Sequence, residues 1–143
     1  MDHVVYLDAS AKELDLLLSG KKTMIIRGAA GRKMPHGRVQ AGDILYLIYN
    51  NAEGLVRARA CVERVFNSEK LTEVEAAGIL ESQQEKLQLT NKQQERWAGK
   101  RYLVLIEVSG VEEIKPFRID KSNYGNMDDW LPVGQIDNVR LQL

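Results

Sequence analysis

Apolar and polar residues alternate along the chain in a pattern that predicts short strands and a few helices. Residues 3–7 form a β-branched and aromatic run, which predicts a strand. Residues 10–13 follow with the Ser-x-x-Glu form of a capping box, so a helix is predicted to begin there. Three leucines at i, i+3 and i+4 spacing give this helix one apolar stripe, and Gly20 is placed to end it in the left-handed conformation.

The next third of the chain predicts three strands and one long loop. Residues 23–27 are mostly apolar and predict a strand. Residues 28–42 contain several glycines and a proline and have no apolar period, so they predict a loop. Residues 43–49 predict a buried strand, and residues 55–65 alternate with a period of two after a turn at 50–54. Loops as long as 28–42 are uncommon in compact domains and are usually functional.

Helices and further strands are predicted in the second half. Between residues 72 and 99 the sequence is rich in Glu, Gln, Lys and Leu, and two threonines are placed to cap helices at 72–87 and 91–98. Residues 102–108 are the most hydrophobic run of the chain and predict a central strand.

The last part of the chain predicts two more strands. A turn is expected at Gly110, followed by a strand near 115–119 and a polar loop over 120–129. A terminal strand is expected near 136–141.

This order of elements favours an α+β fold. Strands mostly follow one another instead of alternating with helices, which favours a small mixed or antiparallel barrel with helices at its edges. The chain has 143 residues, 44% of them hydrophobic and 28% charged, and shows no change in composition that would divide it. We therefore predict one domain over residues 1–143.

The first residues and the cysteine content predict a cytoplasmic location. The N-terminus carries acidic residues and resembles neither a signal peptide nor a transit peptide. No run approaches the roughly 18 apolar residues that a membrane helix needs, so no membrane partner is expected. Cys61 is the only cysteine, which excludes an internal disulfide and fits a reducing compartment.

Positive charge is concentrated in one segment although the net charge of the chain is zero. Residues 16–42 contain no Asp or Glu, and residues 21–38 hold a cluster of cations. These are Lys21, Lys22, Arg27, Arg32, Lys33 and Arg38. Cations interleaved with glycines supply the charges and backbone N–H groups that phosphate binding needs. The alternative is a solvated loop whose cations pair with the acidic helices.

Two side chains, Arg27 and Trp130, have two alternative roles each. Arg27, at the end of a strand, either holds a phosphate or a base edge in a cleft or pairs with Asp43 or Glu107. Tyr124 and Trp130 are the candidates for stacking on RNA bases, and the alternative for Trp130 is packing on the barrel end.

No motif predicts a metal or a cofactor. His3 and His36 lie far apart and have no cysteine partners. The glycines of residues 28–31 lack the strand-turn-helix setting of a nucleotide-binding loop.

The first third of the chain resembles the ASCH family of PUA-like domains. The resemblance rests on a short helix that ends in glycine, on Gly-Lys-Lys-Thr at residues 20–23, and on Arg27 at the end of a strand. The basic loop that closes on Gly-Asp at 42–43 is also similar. The resemblance implies a small pseudo-barrel, a cleft between the first helix, the strand after it and the basic loop, and RNA binding.

One bacterial branch of that family hydrolyses N4-acetylcytidine, and the resemblance maps part of its site onto this chain. The family's lysine corresponds to Lys22, whereas its threonine position falls on Ile25; Thr23 is the nearest threonine. The family's glutamate has three candidates here, Glu73, Glu75 and Glu81.

We therefore expect a PUA-like small mixed β-barrel with flanking helices that binds RNA or a nucleotide in a basic cleft. The predicted binding residues are Lys21, Lys22, Arg27, Arg32, Lys33, Arg38, Tyr124 and Trp130. The alternative is a small hydrolase of a modified nucleoside or of RNA in which Lys22 is catalytic. The sequence carries no prediction of oligomeric state.

Overall fold

The computed structural model describes residues 1–125 and 127–141 and is built on one six-stranded sheet. The strands are β1 (Asp2–Leu7), β2 (Met24–Ala29), β3 (Ile44–Tyr49), β4 (Val56–Asn67), β5 (Tyr102–Phe117) and β6 (Trp130–Gly134). Their order in the sheet is β2-β5-β4-β3-β1-β6. β1 and β3 run parallel, and every other neighbouring pair among the described strands is antiparallel. The sheet is mixed and curls into a half-barrel.

Helices flank this sheet, which confirms the predicted α+β class. They are α1 (Glu13–Leu18), α2 (Glu73–Ser82), α3 (Gln84–Leu87) and α4 (Asn91–Ala98), with a 3₁₀ turn at Ile136–Asn138. Thr72 and Thr90 cap α2 and α4 through complete capping boxes, as predicted. The helix predicted over 72–87 is interrupted at Gln83, which separates α2 from α3.

The start of α1 differs from the prediction. Ser10 does not cap the helix, because its hydroxyl donates to Asp8 Oδ1 at 2.6 Å, and the same oxygen accepts from the backbone N–H of Ala11 at 3.2 Å. This turn delays the helix until Glu13, after Lys12 in the left-handed region at φ 54°. Gly20, with φ 79°, ends the α1 segment as predicted.

Two predictions near the C-terminus are wrong. Gly110 does not turn the chain; it sits inside β5 with φ 58°, opposite a register shift between Arg59 and Cys61 of β4. The glycine therefore serves a β-bulge in one long strand. The strand expected near 136–141 is a 3₁₀ turn and one isolated bridge, because Ile136 and Val139 bury their side chains at a spacing of three residues.

Both faces of β2 are covered, and this determines where the candidate site lies. Ile25 packs with α1 and the main core, whereas Met24 and Ile26 pack with the helices α2–α4. Because side chains alternate along a strand, Arg27 shares the α1 side with Ile25. None of the helices in the described part of the chain is long and apolar enough to cross a membrane.

Candidate functional site

Lys22 is buried directly before β2. Its side chain is 1% exposed, donates from Nζ to the backbone carbonyl of Leu87 in α3, and lies 3.9 Å from Glu13 Oε2. Burial lowers the pKa of Lys22 to about 8; Glu13 opposes this shift, and the charge of Arg27 adds to it. A fraction of Lys22 is therefore neutral near pH 8, unlike an ordinary lysine.

Glu13 is the carboxylate partner of Lys22. Its Oε1 accepts from Gln93 Nε2 at 3.0 Å and from the backbone N–H of Asp8 at 3.3 Å, which leaves Oε2 for Lys22. The three glutamates considered from the sequence are instead exposed on α2: Glu73, Glu75 and Glu81. Glu13 lies shortly before Lys22 in the chain, but the capping-box pattern predicts a cap of the first helix for it; the contact with Gln93 that orients it joins residues 80 positions apart.

Arg27 connects the edge strand β2 to the opposite side of the curled sheet. It is 7% exposed and donates to the carbonyl of Ile26 at 2.8 Å and to that of Tyr6 in β1 at 2.6 Å. Its Nε lies 3.2 Å from Asp129 Oδ2, within ion-pair distance, yet the N–H of that buried nitrogen makes no hydrogen bond. The partner is thus Asp129, and not the Asp43 or Glu107 considered from the sequence.

A small polar pocket lies where these side chains meet. It has a volume of about 130 Å³ and is lined by Glu13, Arg27, Asp129 and seven further residues. The others are Tyr6, Asp8, Asn50, Gln93, Arg96, Trp97 and Met127. The pocket thus offers hydrogen-bond donors and acceptors together. Lys22 does not line the pocket and reaches it only through Glu13.

A wider groove opens beside the pocket and supplies aromatic rings. Its volume is about 490 Å³, and it shares Tyr6, Asn50, Met127 and Asp129 with the pocket. It adds the half-buried ring of Tyr49. The ammonium of Lys121 lies 4.5 Å from the centroid of the Tyr6 ring. The pocket and the groove together form the candidate site.

The six predicted cations occupy two different environments. Lys22 and Arg27 are buried, Arg27 in the pocket wall and Lys22 behind Glu13, whereas the other four are exposed: Lys21, Arg32, Lys33 and Arg38. Arg32 pairs with Glu69 at 2.8 Å and lies 5.6 Å from the ring centroid of Tyr102. Four cations therefore lie on an exposed surface and two are buried, so the six do not line one common cleft.

The two aromatic residues predicted to stack on bases line neither the pocket nor the groove. Trp130 is 3% exposed, and its indole N–H donates to His3 Nδ1 at 3.1 Å. Tyr124 is half-buried and donates to the carbonyl of Pro132 at 3.2 Å. The tyrosines that do line the site are Tyr6 and Tyr49.

Within residues 1–125 and 127–141, no group of three or more His, Cys, Asp or Glu side chains is placed to hold a metal ion.

The mixed, curled sheet with α1 against one face defines an ASCH-like, PUA-like α+β fold. The crystal structure of the ASCH protein from Zymomonas mobilis matches it with a TM-score of 0.63 and 14% identity, covering 90% of this chain and 82% of that one. Two mutant forms of that protein match with TM-scores of 0.66 at 16% and 15% identity, covering 90% of this chain and 87% and 85% of theirs. At this identity the likeness shows the fold alone. No family model matches the chain, and no curated protein matches it.

Proposed function

We propose that this chain binds RNA or a nucleotide, with the edge of a base in the polar pocket and its ring against Tyr6 or Tyr49. The observation that carries the proposal is the buried guanidinium of Arg27, whose Nε has no hydrogen-bond partner although it lies beside Asp129 in the pocket wall. A buried polar atom without a partner is costly, so a ligand that accepts from it gains affinity.

The size and chemistry of the site suit one base. Sites for drug-sized ligands have volumes of about 300–1,000 Å³, so a pocket of about 130 Å³ takes only part of such a ligand. The donors and acceptors of Arg27, Asn50 and Asp129 are of the kind that reads the edge of an unstacked base. The wider groove then holds the rest of the nucleotide.

Phosphates of neighbouring nucleotides would be bound by cations outside the pocket. Lys100 packs against β2, the strand that carries Arg27, because a methyl group added to Gly28 would lie 3.0 Å from Lys100 Cγ. Arg101 and the basic loop with Lys33 and Arg38 are exposed. Exposed lysine and arginine side chains are the usual contacts of the RNA backbone.

The test replaces the proposed stacking ring. Stacking of a base on an aromatic side chain contributes about 1–3 kcal/mol, so Tyr6→Leu should weaken binding of a short oligoribonucleotide by about fivefold or more. Tyr124→Leu is the matched control, because Tyr124 is half-buried outside the site, and it should bind as the parent does. Fluorescence anisotropy at low salt measures both. Equal affinity for all three proteins would contradict stacking on Tyr6, and equal affinity of Tyr49→Leu as well would contradict the proposal.

A second candidate function is hydrolysis of an acylated nucleoside, and one observation favours it. Burial lowers the pKa of Lys22 to about 8, and a carboxylate lies 3.9 Å away, an arrangement suited to moving a proton. Water would add its oxygen to the amide carbon as the C–N bond breaks, and its proton would pass by way of Glu13 and Lys22 to the leaving amine. Ile25, fully buried, stands where the family's threonine would be.

N4-acetylcytidine is the substrate for testing the second function. A hydrolase should release acetate at a rate that rises with pH through about 8, as Lys22 loses its proton. Lys22→Met should lower the rate about 100-fold or more, while Lys21→Met, an exposed neighbour, should leave it unchanged. No turnover by the parent protein would reject hydrolysis of this substrate and leave the binding proposal intact.

A further inference from the structure

A second cavity lies on the other side of β2, away from the candidate site. Its volume is about 440 Å³, and it shares no lining residue with the pocket or the groove. Met24 and Leu105 form part of its floor, and Ile79 of α2 and Lys86 of α3 form part of its walls. We call it the α3 cavity. Its volume lies within the range of about 300–1,000 Å³ that small-molecule sites have.

The α3 cavity presents an aromatic ring to solvent. Phe66 lines it and is 49% exposed, although Met24 and Leu105 beside it are buried. Phe66 is the only aromatic residue among the large apolar side chains exposed in the described part of the chain. A ligand with an apolar body would remove this ring from water, which is favourable at about 25 cal/mol per Å².

The rim of the cavity carries an excess of positive charge. Arg64 Nε lies 3.1 Å from one oxygen of Glu107, and Lys86 Nζ lies 3.3 Å from the other. The cations hold the pKa of Glu107 below its ordinary value, with the hydrogen bond from Arg64 as the main cause. Two cations therefore share one carboxylate, which leaves one positive charge unmatched at the rim.

We propose that the α3 cavity binds a small amphipathic monoanion, with its apolar body against Phe66 and its acidic group at Arg64 and Lys86. The ligand class is an organic acid with one carboxylate or sulfonate on an aromatic or short aliphatic body. A neutral apolar molecule would not use the unmatched charge, and a simple inorganic anion would not use the apolar floor. This site is independent of the proposed binding of RNA or nucleotides.

The probe for this site is 8-anilinonaphthalene-1-sulfonate, an aromatic monoanion that fluoresces when it leaves water. The parent protein should bind one molecule of it, and more tightly than the neutral N-phenyl-1-naphthylamine. Phe66→Ala should weaken binding about fivefold or more, because the ligand would lose the exposed part of the ring that it covers. Val74→Ala is the control, since Val74 is 83% exposed on α2 and does not line the cavity.

A pair of double variants tests whether Arg64 and Lys86 cause the preference for an anionic ligand. Arg64→Gln with Lys86→Gln should remove the preference for the sulfonate over the neutral analogue, while Arg59→Gln with Lys115→Gln, two exposed cations elsewhere, should preserve it. The proposal would be overturned if Phe66→Ala bound the sulfonate with the affinity of the parent. It would also be overturned if the neutral analogue bound the parent as tightly as the sulfonate does.

Mapping on the parent protein keeps the test independent of how the variants fold. Methyl NMR signals of Ile79 and Leu105 should move when the sulfonate is added, because both residues line the cavity. Movement confined to other methyl groups would overturn the proposal.

Discussion

Lys22 is a charged side chain that folding has removed from water. Such burial is costly unless the charge is paired and hydrogen-bonded, and here the Leu87 carbonyl and the Glu13 carboxylate provide both kinds of partner. The pKa of Lys22 is nevertheless lowered to about 8, which shows that the partners do not fully replace the lost hydration. The side chain is thus a source of instability as long as it stays protonated.

The first prediction concerns this lysine and pH. Since the pKa of Lys22 is about 8 in the folded chain and 10.5 ordinarily, the unfolded chain binds more protons between these values, and stability should rise with pH. The contribution of Lys22 to this rise in the free energy of unfolding should reach about 3 kcal/mol across that pH window. This contribution should be absent in Lys22→Met.

Urea unfolding of both proteins at pH 7.5, 8.5 and 9.5 measures this difference. Lys21→Met is the matched control and should keep the rise, because Lys21 is exposed. Parallel pH profiles for the parent and Lys22→Met would show that Lys22 is not perturbed in this way.

Three strands are tied together by a buried polar chain at one end of the sheet. The Trp130 indole N–H donates to His3 Nδ1, so His3 carries its proton on Nε2 and donates it to Asp43 Oδ2 at 2.9 Å. Burial alone would raise the pKa of Asp43, but hydrogen bonds from His3 and from the backbone of Gln40 outweigh this and lower it. The charged form of Asp43 therefore stabilises the junction of β1, β3 and β6.

Acid should remove this contribution. Because the pKa of Asp43 is lower in the folded chain than in the unfolded one, its stabilisation is present above about pH 4 and is lost as the pH falls through the folded value. Asp43→Asn should therefore cost about 1.5–3 kcal/mol at pH 7. The difference in the free energy of unfolding between Asp43→Asn and the parent should shrink toward pH 3.

Thermal unfolding from pH 7 to 3 follows this difference. Asp137→Asn serves as the control, since Asp137 is exposed and lies outside the chain of hydrogen bonds. A constant gap between Asp43→Asn and the parent at all pH values would contradict the assignment.

α3 is a single helical turn that lines the α3 cavity and also binds the side chain of Lys22. Lys86 lines the α3 cavity, its carbonyl accepts from the N–H of Thr23 at 2.9 Å, and the next carbonyl, that of Leu87, holds Lys22. The break at Gln83 that separates α3 from α2 thus positions one turn of backbone between the α3 cavity and Lys22. The sequence predicted one continuous helix here because the composition does not change at the break.

Local patterns predicted most of the elements, and tertiary contacts decided the exceptions. Apolar runs identified β1, β2, β3 and the start of β5, alternation identified β4, and the threonine caps identified the starts of α2 and α4. Gly110 was misassigned because a glycine with positive φ serves a bulge as readily as a turn. Lys22 and Arg27 were found through their charge, whereas Glu13 was missed because its pattern predicts a helix-capping residue, and Asn50 because it meets the site through contacts distant in sequence.

The net charge of the chain is zero, but positive and negative charges are unevenly distributed over its surface. Lys33, Arg38, Lys100 and Arg101 make no ion pair within the described residues, whereas Arg32 pairs with Glu69. His36 Nε2 lies 2.9 Å from the carbonyl oxygen of Ser68, which holds the basic loop against the turn before α2. Unpaired cations on the surface favour the binding of an oligonucleotide over that of a free base.

This surface predicts a salt dependence. Each phosphate contact to a single strand contributes about 0.7 to the slope of log affinity against log salt. Lys33→Glu with Arg38→Glu should therefore weaken oligoribonucleotide binding and make the slope shallower by about 0.7 or more. Arg59→Glu with Lys115→Glu, an equal charge reversal on exposed residues outside the candidate site, should not change the slope. Equal slopes for the parent and both double variants would exclude the basic loop from binding.

The most direct test of the proposed function is an NMR titration of the parent protein with a nucleoside 5′-monophosphate. The side-chain amide signals of Asn50 and Gln93 report on the polar pocket, because both residues line it. We predict that these two signals move together and saturate with one binding constant. Movement confined to the backbone of the basic loop, with both side-chain amides unchanged, would contradict the assignment of the pocket as the base-binding site.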